Sequence, residues 1–213
     1  MNLPLEKQPV RVTAIQFAAT DTNLFEFRRT DGVNLPAATP GAHIDVHLPN
    51  GLTRQYSLVS ADGDPAAYIV GVKRDRNSRG GSAYMHDQLR VGQIVQIGGP
   101  RNNFPLDVRT QHSVLFAGGI GITPIWCMVQ RLISLGRSFE LHYACRHRSE
   151  ASFLSELQTV PSANLHFDQE AGGVLDIKPV VCAAPAGSHF YCCGPAPMLK
   201  AFELSTLLID RKQ

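Results

Sequence analysis

Hydrophobic and polar positions alternate in short runs along the first hundred residues: RVTAIQFAA (11–19), LFEFRR (24–29), HIDVHL (43–48), RQYSLV (54–59), AAYIVGVK (66–73) and QIVQIG (93–98). Period-two alternation of this length, broken by turn-forming residues, predicts half-buried strands of an antiparallel sandwich or barrel. Only GSAYMHDQL (81–89) carries a helical pattern in this half.

After PRNNFPL (100–106) the rhythm changes. SVLFAGG is a continuous apolar run ending in glycines. TPIWCMVQRLISLG then has helix periodicity, with Thr-Pro at its start and Gly136 at its end, and FELHYACR is again strand-like. Farther on, FLSELQ is expected to be helical, LHFD an edge strand, HFYCCG a buried strand and APMLKAFELSTLLI an amphipathic helix. Strands alternating with helices of this length predict a parallel sheet with right-handed crossovers. The chain therefore divides into a β-barrel over residues 1–105 and an α/β domain over 106–213, with ligands expected in the cleft between them.

Composition agrees with this division and narrows the function. Eighteen glycines and fourteen prolines among 213 residues favour turns and short strands over a helix bundle. A formal charge of +2 gives no broad surface for nucleic acid or membrane, so any basic site is local. The start MNLPLEKQPV lacks a signal-peptide pattern and no apolar run approaches the roughly 18 residues of a membrane span, so a cytoplasmic protein is expected. The five cysteines, 127, 145, 182, 192 and 193, have no CxxC spacing, so no disulfide framework or metal site is predicted and most are expected to be small buried hydrophobes.

The candidate chemistry lies in loops. LFAGGIGITPI puts Gly118, Gly119 and Gly121 between a strand and a helix, where backbone can approach a pyrophosphate and a helix N-terminus favours an anion. It is not an ordinary dinucleotide fingerprint, because Pro124 takes the third glycine position and Arg146, not an acid, ends the next strand. Cys193-Gly194-Pro195 forms a second such turn, with no His or carboxylate beside the thiol to activate it. Arg146, His147, Arg148 and Ser149 suit a ribose phosphate or an adenine ring, or else a solvated loop. In RQYSL, Arg54 offers a charge, Tyr56 an aromatic plane and Ser57 a hydroxyl. VKRDRNSRGGS gathers Lys73, Arg74, Arg76 and Arg79 at Gly80-Gly81-Ser82, with the serine expected as N-cap of the short helix.

These pieces in this order, RxYS, VKR, RGGS, PRNNFPL, AGGIGITP and YCCGP, resemble the ferredoxin–NADP reductase superfamily over about residues 10–200. More narrowly they are similar to the phthalate dioxygenase reductase and vanillate demethylase reductase family. The resemblance implies an antiparallel Greek-key flavin-binding barrel followed by a parallel-sheet nicotinamide-dinucleotide domain. It implies flavin contacts from the stretch Arg54, Gln55, Tyr56 and Ser57, with Val72 and Lys73 alongside, and places Arg79, Gly80, Gly81 and Ser82 around the phosphate of FMN, with FAD less expected. Gly119 and Gly121 would meet the dinucleotide pyrophosphate, Arg146 the adenosine side, and Cys193, Gly194 and Pro195 the nicotinamide. Ser57, Thr123 and Cys193 would stand nearest the reacting rings. NADH is the expected donor, NADPH remaining open because Arg146 and Arg148 suit a 2′-phosphate. The implied activity is a flavin reductase component that takes hydride from NADH to FMN and feeds an iron–sulfur acceptor of a Rieske-type oxygenase or demethylase. The alternatives are an FAD-dependent ferredoxin–NADP reductase and a non-catalytic flavin-binding subunit.

Two departures qualify the resemblance. No CxxxxCxxC run exists for a plant-type cluster, so [2Fe–2S] is not expected in this chain. The sequence also stops at LLIDRKQ, before the aromatic-bearing strand usual in the family, and is expected to correspond to the front two-thirds of such an electron-transfer protein.

Overall fold

A computed structural model describes residues 7–60, 64 and 66–210; the MNLPLE start and the RKQ end lie outside the described residues. The alternating runs of the first half all form strands: β1 (Gln8–Ala19), β2 (Thr22–Arg29), β3 (His43–His47), β4 (Thr53–Ser57), β5 (Ala67–Lys73) and, after helix α1 (Gly81–Asp87), β6 (Ile94–Ile97). They pair antiparallel in the order β4-β3-β6-β1-β2-β5. An antiparallel bridge between Leu58 and Val70 joins the two outer strands and closes the sheet into a barrel. Period two does the folding here: Val10, Val12, Phe25, Phe27, Ile44, Val46, Val70 and Ile97 all point into one core and are essentially water-free.

Residues 100–106 do more than connect. Arg101 bridges His43 in the backbone and clamps Asp45 through two bonds of 2.7 and 2.8 Å, which fastens the segment to β3. Phe104 then reaches the second half, edge-on to Tyr191 at 6.0 Å between ring centres.

That half runs β7 (His112–Gly118), a 3-10 turn (Gly119–Gly121), α2 (Ile122–Ser134), β8 (Ser138–Cys145), α3 (Leu154–Leu157), β9 (Ala163–Phe167), α4 (Asp168–Ala171), α5 (Ile177–Ala183), β10 (His189–Cys193) and α6 (Ala196–Asp210). Its four strands are parallel in the order β10-β7-β8-β9. LHFD is an edge strand as expected. HFYCCG is not the buried strand predicted: among the described strands β10 lies at the other edge, and only Tyr191 in it is fully buried. α6 also departs from a simple amphipathic helix, leaving Leu199, Leu204 and Leu207 exposed while Ser205 is buried. FLSELQ yields a single helical turn, α3, and α5 is begun by Asp176, whose carboxylate accepts from the Lys178 backbone N–H at 3.1 Å.

The two halves touch at several points. Thr20 N–H donates to the Ser149 carbonyl at 2.8 Å, and Lys73 on β5 meets Glu150 at 2.6 Å. With its amide turned to satisfy both neighbours, Gln130 on α2 donates to the Val59 carbonyl and accepts from the Trp126 indole.

Candidate functional site

β7 is where the parallel sheet changes direction: β8 and β9 lie to one side of it and β10 to the other. Ligands of open α/β sheets sit at such a switch point, beyond the carboxyl ends of the strands. The two glycine turns meet there. A Cβ added to Gly121 would fall 2.1 Å from the Cys193 carbonyl oxygen, and one on Gly118 would fall 2.6 Å from Pro195. Glycine is required at these positions because backbone packs on backbone.

Opposite the turns stands the barrel wall of β4 and β5. Gly71 on β5 lies so close to α2 that a Cβ would come within 2.6 Å of the Thr123 methyl group. Between wall and turns runs a cleft of about 930 Å³, within the ~300–1,000 Å³ usual for ligand sites. It collects Gln55, Tyr56 and Ser57 from β4, Val72 and Lys73 from β5, Gly119, Gly121 and Thr123 from the first turn, Arg146 after β8, and Cys193, Gly194 and Pro195 from the second turn.

Arg54, Arg79, Gly80, Gly81 and Ser82 do not line the cleft; they gather beside it at α1. The Arg54 guanidinium donates to the Arg79 carbonyl at 3.0 Å and lies against Gly81, where a Cβ would come within 2.5 Å of its Nε. Ser82 is not the N-cap. Gly80, with φ +90°, turns the chain into α1, so Ser82 falls inside the first helical turn and its hydroxyl accepts from the Asp75 N–H at 3.1 Å.

Electrostatics divide the cleft further. Burial pushes the Tyr56 phenol up to about 12, so it stands as a neutral aromatic face. Burial likewise raises the Cys193 thiol, which is therefore no nucleophile at neutral pH. Thr123 spends its hydroxyl on the Ile120 carbonyl at 3.0 Å. Lys73 is held by Glu150 across the cleft. Arg148, which could have served a 2′-phosphate, is engaged elsewhere: it grips Glu170 through bonds of 3.0 and 2.7 Å and lies 4.3 Å over the Phe167 ring, while Arg146 remains exposed at the rim.

One cleft residue escaped sequence reasoning. Asp168 follows β9, and its Oδ1 is buried without a hydrogen-bond partner, 3.5 Å from His166 Nε2. The strand β8 is followed by Arg146, not by an acid. The acid stands one strand farther out, and its signal was the final residue of LHFD. The cysteines also divide: Cys127 and Cys145 are buried, Cys192 and Cys193 half-buried and Cys182 exposed, all as free thiols. Among the described residues no group of three His, Cys, Asp or Glu side chains could hold a metal ion, and no helix is long and apolar enough to cross a membrane.

A second, smaller cavity of about 360 Å³ backs onto the cleft. Gln55, Ser57, Pro124, Cys193 and Gly194 line both, so they form a common partition.

Residues 9–105 match a family model described as an oxidoreductase FAD-binding domain. Among curated relatives, a tetrachlorobenzoquinone reductase of Sphingobium chlorophenolicum is 50% identical over 97% of this chain and 65% of its own length. A vanillate O-demethylase oxidoreductase of a Pseudomonas strain is 46% identical over 87% of this chain and 60% of its own. The solved structure of phthalate dioxygenase reductase superposes with a TM-score of 0.89 at 34% identity, covering 94% of this chain and 64% of that one. The chain thus spans somewhat under two-thirds of the length of these relatives. Barrel, parallel sheet and shared cleft together reproduce the fold of phthalate dioxygenase reductase. In sequence and fold the chain is similar, over most of its length, to phthalate dioxygenase reductase and to vanillate O-demethylase oxidoreductases.

Proposed function

We propose that this chain is the flavin and nicotinamide part of an oxygenase reductase, taking hydride from NADH to FMN and passing electrons to an iron–sulfur acceptor of an aromatic-ring oxygenase or demethylase. In this reading residues 1–105 form the flavin domain and 106–213 the nucleotide domain. The observation that carries it is the single cleft in which the two packed glycine turns face the β4–β5 wall. When bound, the two cofactors supply the redox chemistry themselves, two electrons entering the flavin from the nicotinamide and leaving singly.

The residues present fit that pair of groups. Tyr56 offers a neutral plane for a ring, and Gln55 and Ser57 offer polar edges beside it. Arg54, fixed against Gly81 and the Arg79 carbonyl, marks an anion site at the barrel end, and a phosphate ending there supports FMN; FAD, which the family description names, is the alternative. Gly119 and Gly121 let a pyrophosphate approach the start of α2. Cys193 with its neutral thiol, next to the side-chain-free backbone of Gly194, suits a nicotinamide ring. The unpartnered Asp168 carboxylate suits ribose hydroxyls and repels a 2′-phosphate, which favours NADH, and Arg148 is already neutralised by Glu170. Five free thiols suit the reducing cytoplasm.

The acceptor differs among relatives, one of which is named for reducing a quinone. The test is anaerobic addition of NADH to the purified, flavin-loaded chain, followed by mass identification of the released flavin. Bleaching with FMN released is expected. Released FAD would transfer the chain to the FAD-dependent alternative, and flavin that NADH leaves unbleached would make it a non-catalytic subunit.

A further inference from the structure

One face of α2 lies along the barrel, and three side chains at helical spacing make it. Thr123, Trp126 and Gln130 stand at i, i+3 and i+7, so they share one stripe of the helix. Thr123 opens the stripe against Gly71 on β5. Trp126, almost wholly buried, stacks on Phe153 with 5.7 Å between ring centres. Gln130 closes it: its amide N–H donates to the Val59 carbonyl at 3.2 Å, and its amide oxygen accepts from the Trp126 indole N–H at 2.9 Å. Val59 lies just beyond β4, and its own N–H donates to the Ile69 carbonyl of β5 at 2.9 Å. α2 is therefore fastened to the β4–β5 wall at two points, by close contact at Gly71 and by a hydrogen bond at Val59. Gln130 itself does not line the cleft.

The place calls for a side chain that donates and accepts at once, since the Val59 carbonyl offers no hydrogen and the indole offers no lone pair. A glutamine amide does both, a leucine does neither, and an ionised glutamate only accepts. We propose that Gln130 is a positioning residue for hydride transfer: by tying α2 to Val59 it sets how closely the nicotinamide side of the cleft stands to the flavin wall. The proposal rests on the flavin and NADH reading of the main cleft. α2 is the rigid element through which Gln130 acts. The Gly119–Gly121 turn leads into that helix, so a tilt of α2 about its contact with Gly71 carries the whole turn with it, relative to Tyr56 and Ser57. Hydride transfer needs the reacting atoms about 3–3.5 Å apart, and a misplacement of about 1 Å costs on the order of a hundredfold in rate. Binding of the dinucleotide, spread over both glycine turns and Arg146, is far less sensitive to such a tilt.

Rapid anaerobic mixing of the flavin-loaded chain with NADH reads two quantities, the limiting rate of flavin bleaching and the NADH concentration that gives half of it. The reaction balances as NADH + H⁺ + flavin giving NAD⁺ and the dihydroflavin, the proton coming from water. Gln130→Leu is expected to lower the limiting rate by about tenfold or more while half-saturating NADH stays within about twofold of the parent. Gln130→Glu should show the same deficit at about pH 8 and lose it, as a ratio to the parent at the same pH, when its carboxyl takes up a proton and becomes a donor again. Trp126 is the only tryptophan of the chain, so its indole N–H gives a single NMR signal. That signal should shift and exchange faster with water in Gln130→Leu, and keep its protection in Gln130→Glu. Limiting rates within about twofold of the parent in both variants, a loss seen only as higher half-saturating NADH, or a Gln130→Glu deficit that pH does not move overturns the proposal. A parent chain whose flavin NADH fails to bleach overturns the main reading instead, while an indole signal unmoved by Gln130→Leu overturns the proposal by itself.

Discussion

Gly121 shows how tightly the site is specified by single atoms. Its missing Cβ is what lets the turn after β7 rest on the Cys193 carbonyl, 2.1 Å from where that atom would be. Neither side can yield cheaply, since the neighbour is backbone. Gly121→Ala is expected to cost about 1–3 kcal/mol of stability by urea denaturation and to abolish nicotinamide binding, because both turns must shift. Gly173→Ala is the control: nothing lies within 4 Å of a Cβ there, and the change should stay within about 0.5 kcal/mol. From the sequence Gly121 is expected as a ligand contact, and its role as a packing contact does not show there. The spacing GxG is local, whereas the collision with residue 193 depends on which strand lies next to β7.

At the scale of elements, β3 carries its own pH sensitivity. Arg101 holds the Asp45 carboxyl below its ordinary range, mainly through their hydrogen bonds, and burial lowers the neighbouring His43. For His43 the unfolded chain binds the proton first, so the stability it contributes is complete above the ordinary value of 6.5 and is lost as pH falls beneath it. The Asp45 contribution is complete above its ordinary 3.8 and is lost as pH falls farther, through the lowered folded value. Urea midpoints measured along a falling pH series should therefore drop in two stages, and His43→Phe should shrink the first, which the likewise buried and lowered His47 shares, while leaving the second. The six barrel strands were legible because one face of each is buried and the period is two. α4 and α5 were not: DQEA offers a single apolar position, and IKPVVCA carries a proline in its first turn. β10 misled for a related reason: an apolar run tells that a strand is shielded, not where it stands in the sheet. The same gap concealed Asp168, whose place in the cleft follows from strand order rather than from any local pattern.

Over the whole molecule, two cores, one inside the barrel and one around β7 and α2, are joined by polar and close contacts, Gly71 on Thr123, Lys73 on Glu150, Thr20 on Ser149, Gln130 on Val59 and Phe104 on Tyr191, and by Val59, Leu24 and Ile69 of the barrel packing into the second core. The change from antiparallel to parallel pairing was legible as a change of rhythm, but the surface joining the two sheets was not, because residues 20, 71 and 104 look like ordinary turn and strand positions.

The closure of the barrel has a kinetic side. β4 and β5 are stitched by the Leu58–Val70 bridge and the Val59 N–H bonded to the Ile69 carbonyl at 2.9 Å, whereas β1 and β2 share a ladder from Val10 to Thr22 and its partners. That seam is the line along which the barrel should breathe, and the strands on either side of it are the ones facing the cleft. The backbone amide of Val59 should exchange with deuterium sooner than those of Phe25 and Phe27, and flavin should slow it far more than either. A bound ring resting on Tyr56 and Val72 would then serve as a lace across an opening that the polypeptide leaves only lightly sewn.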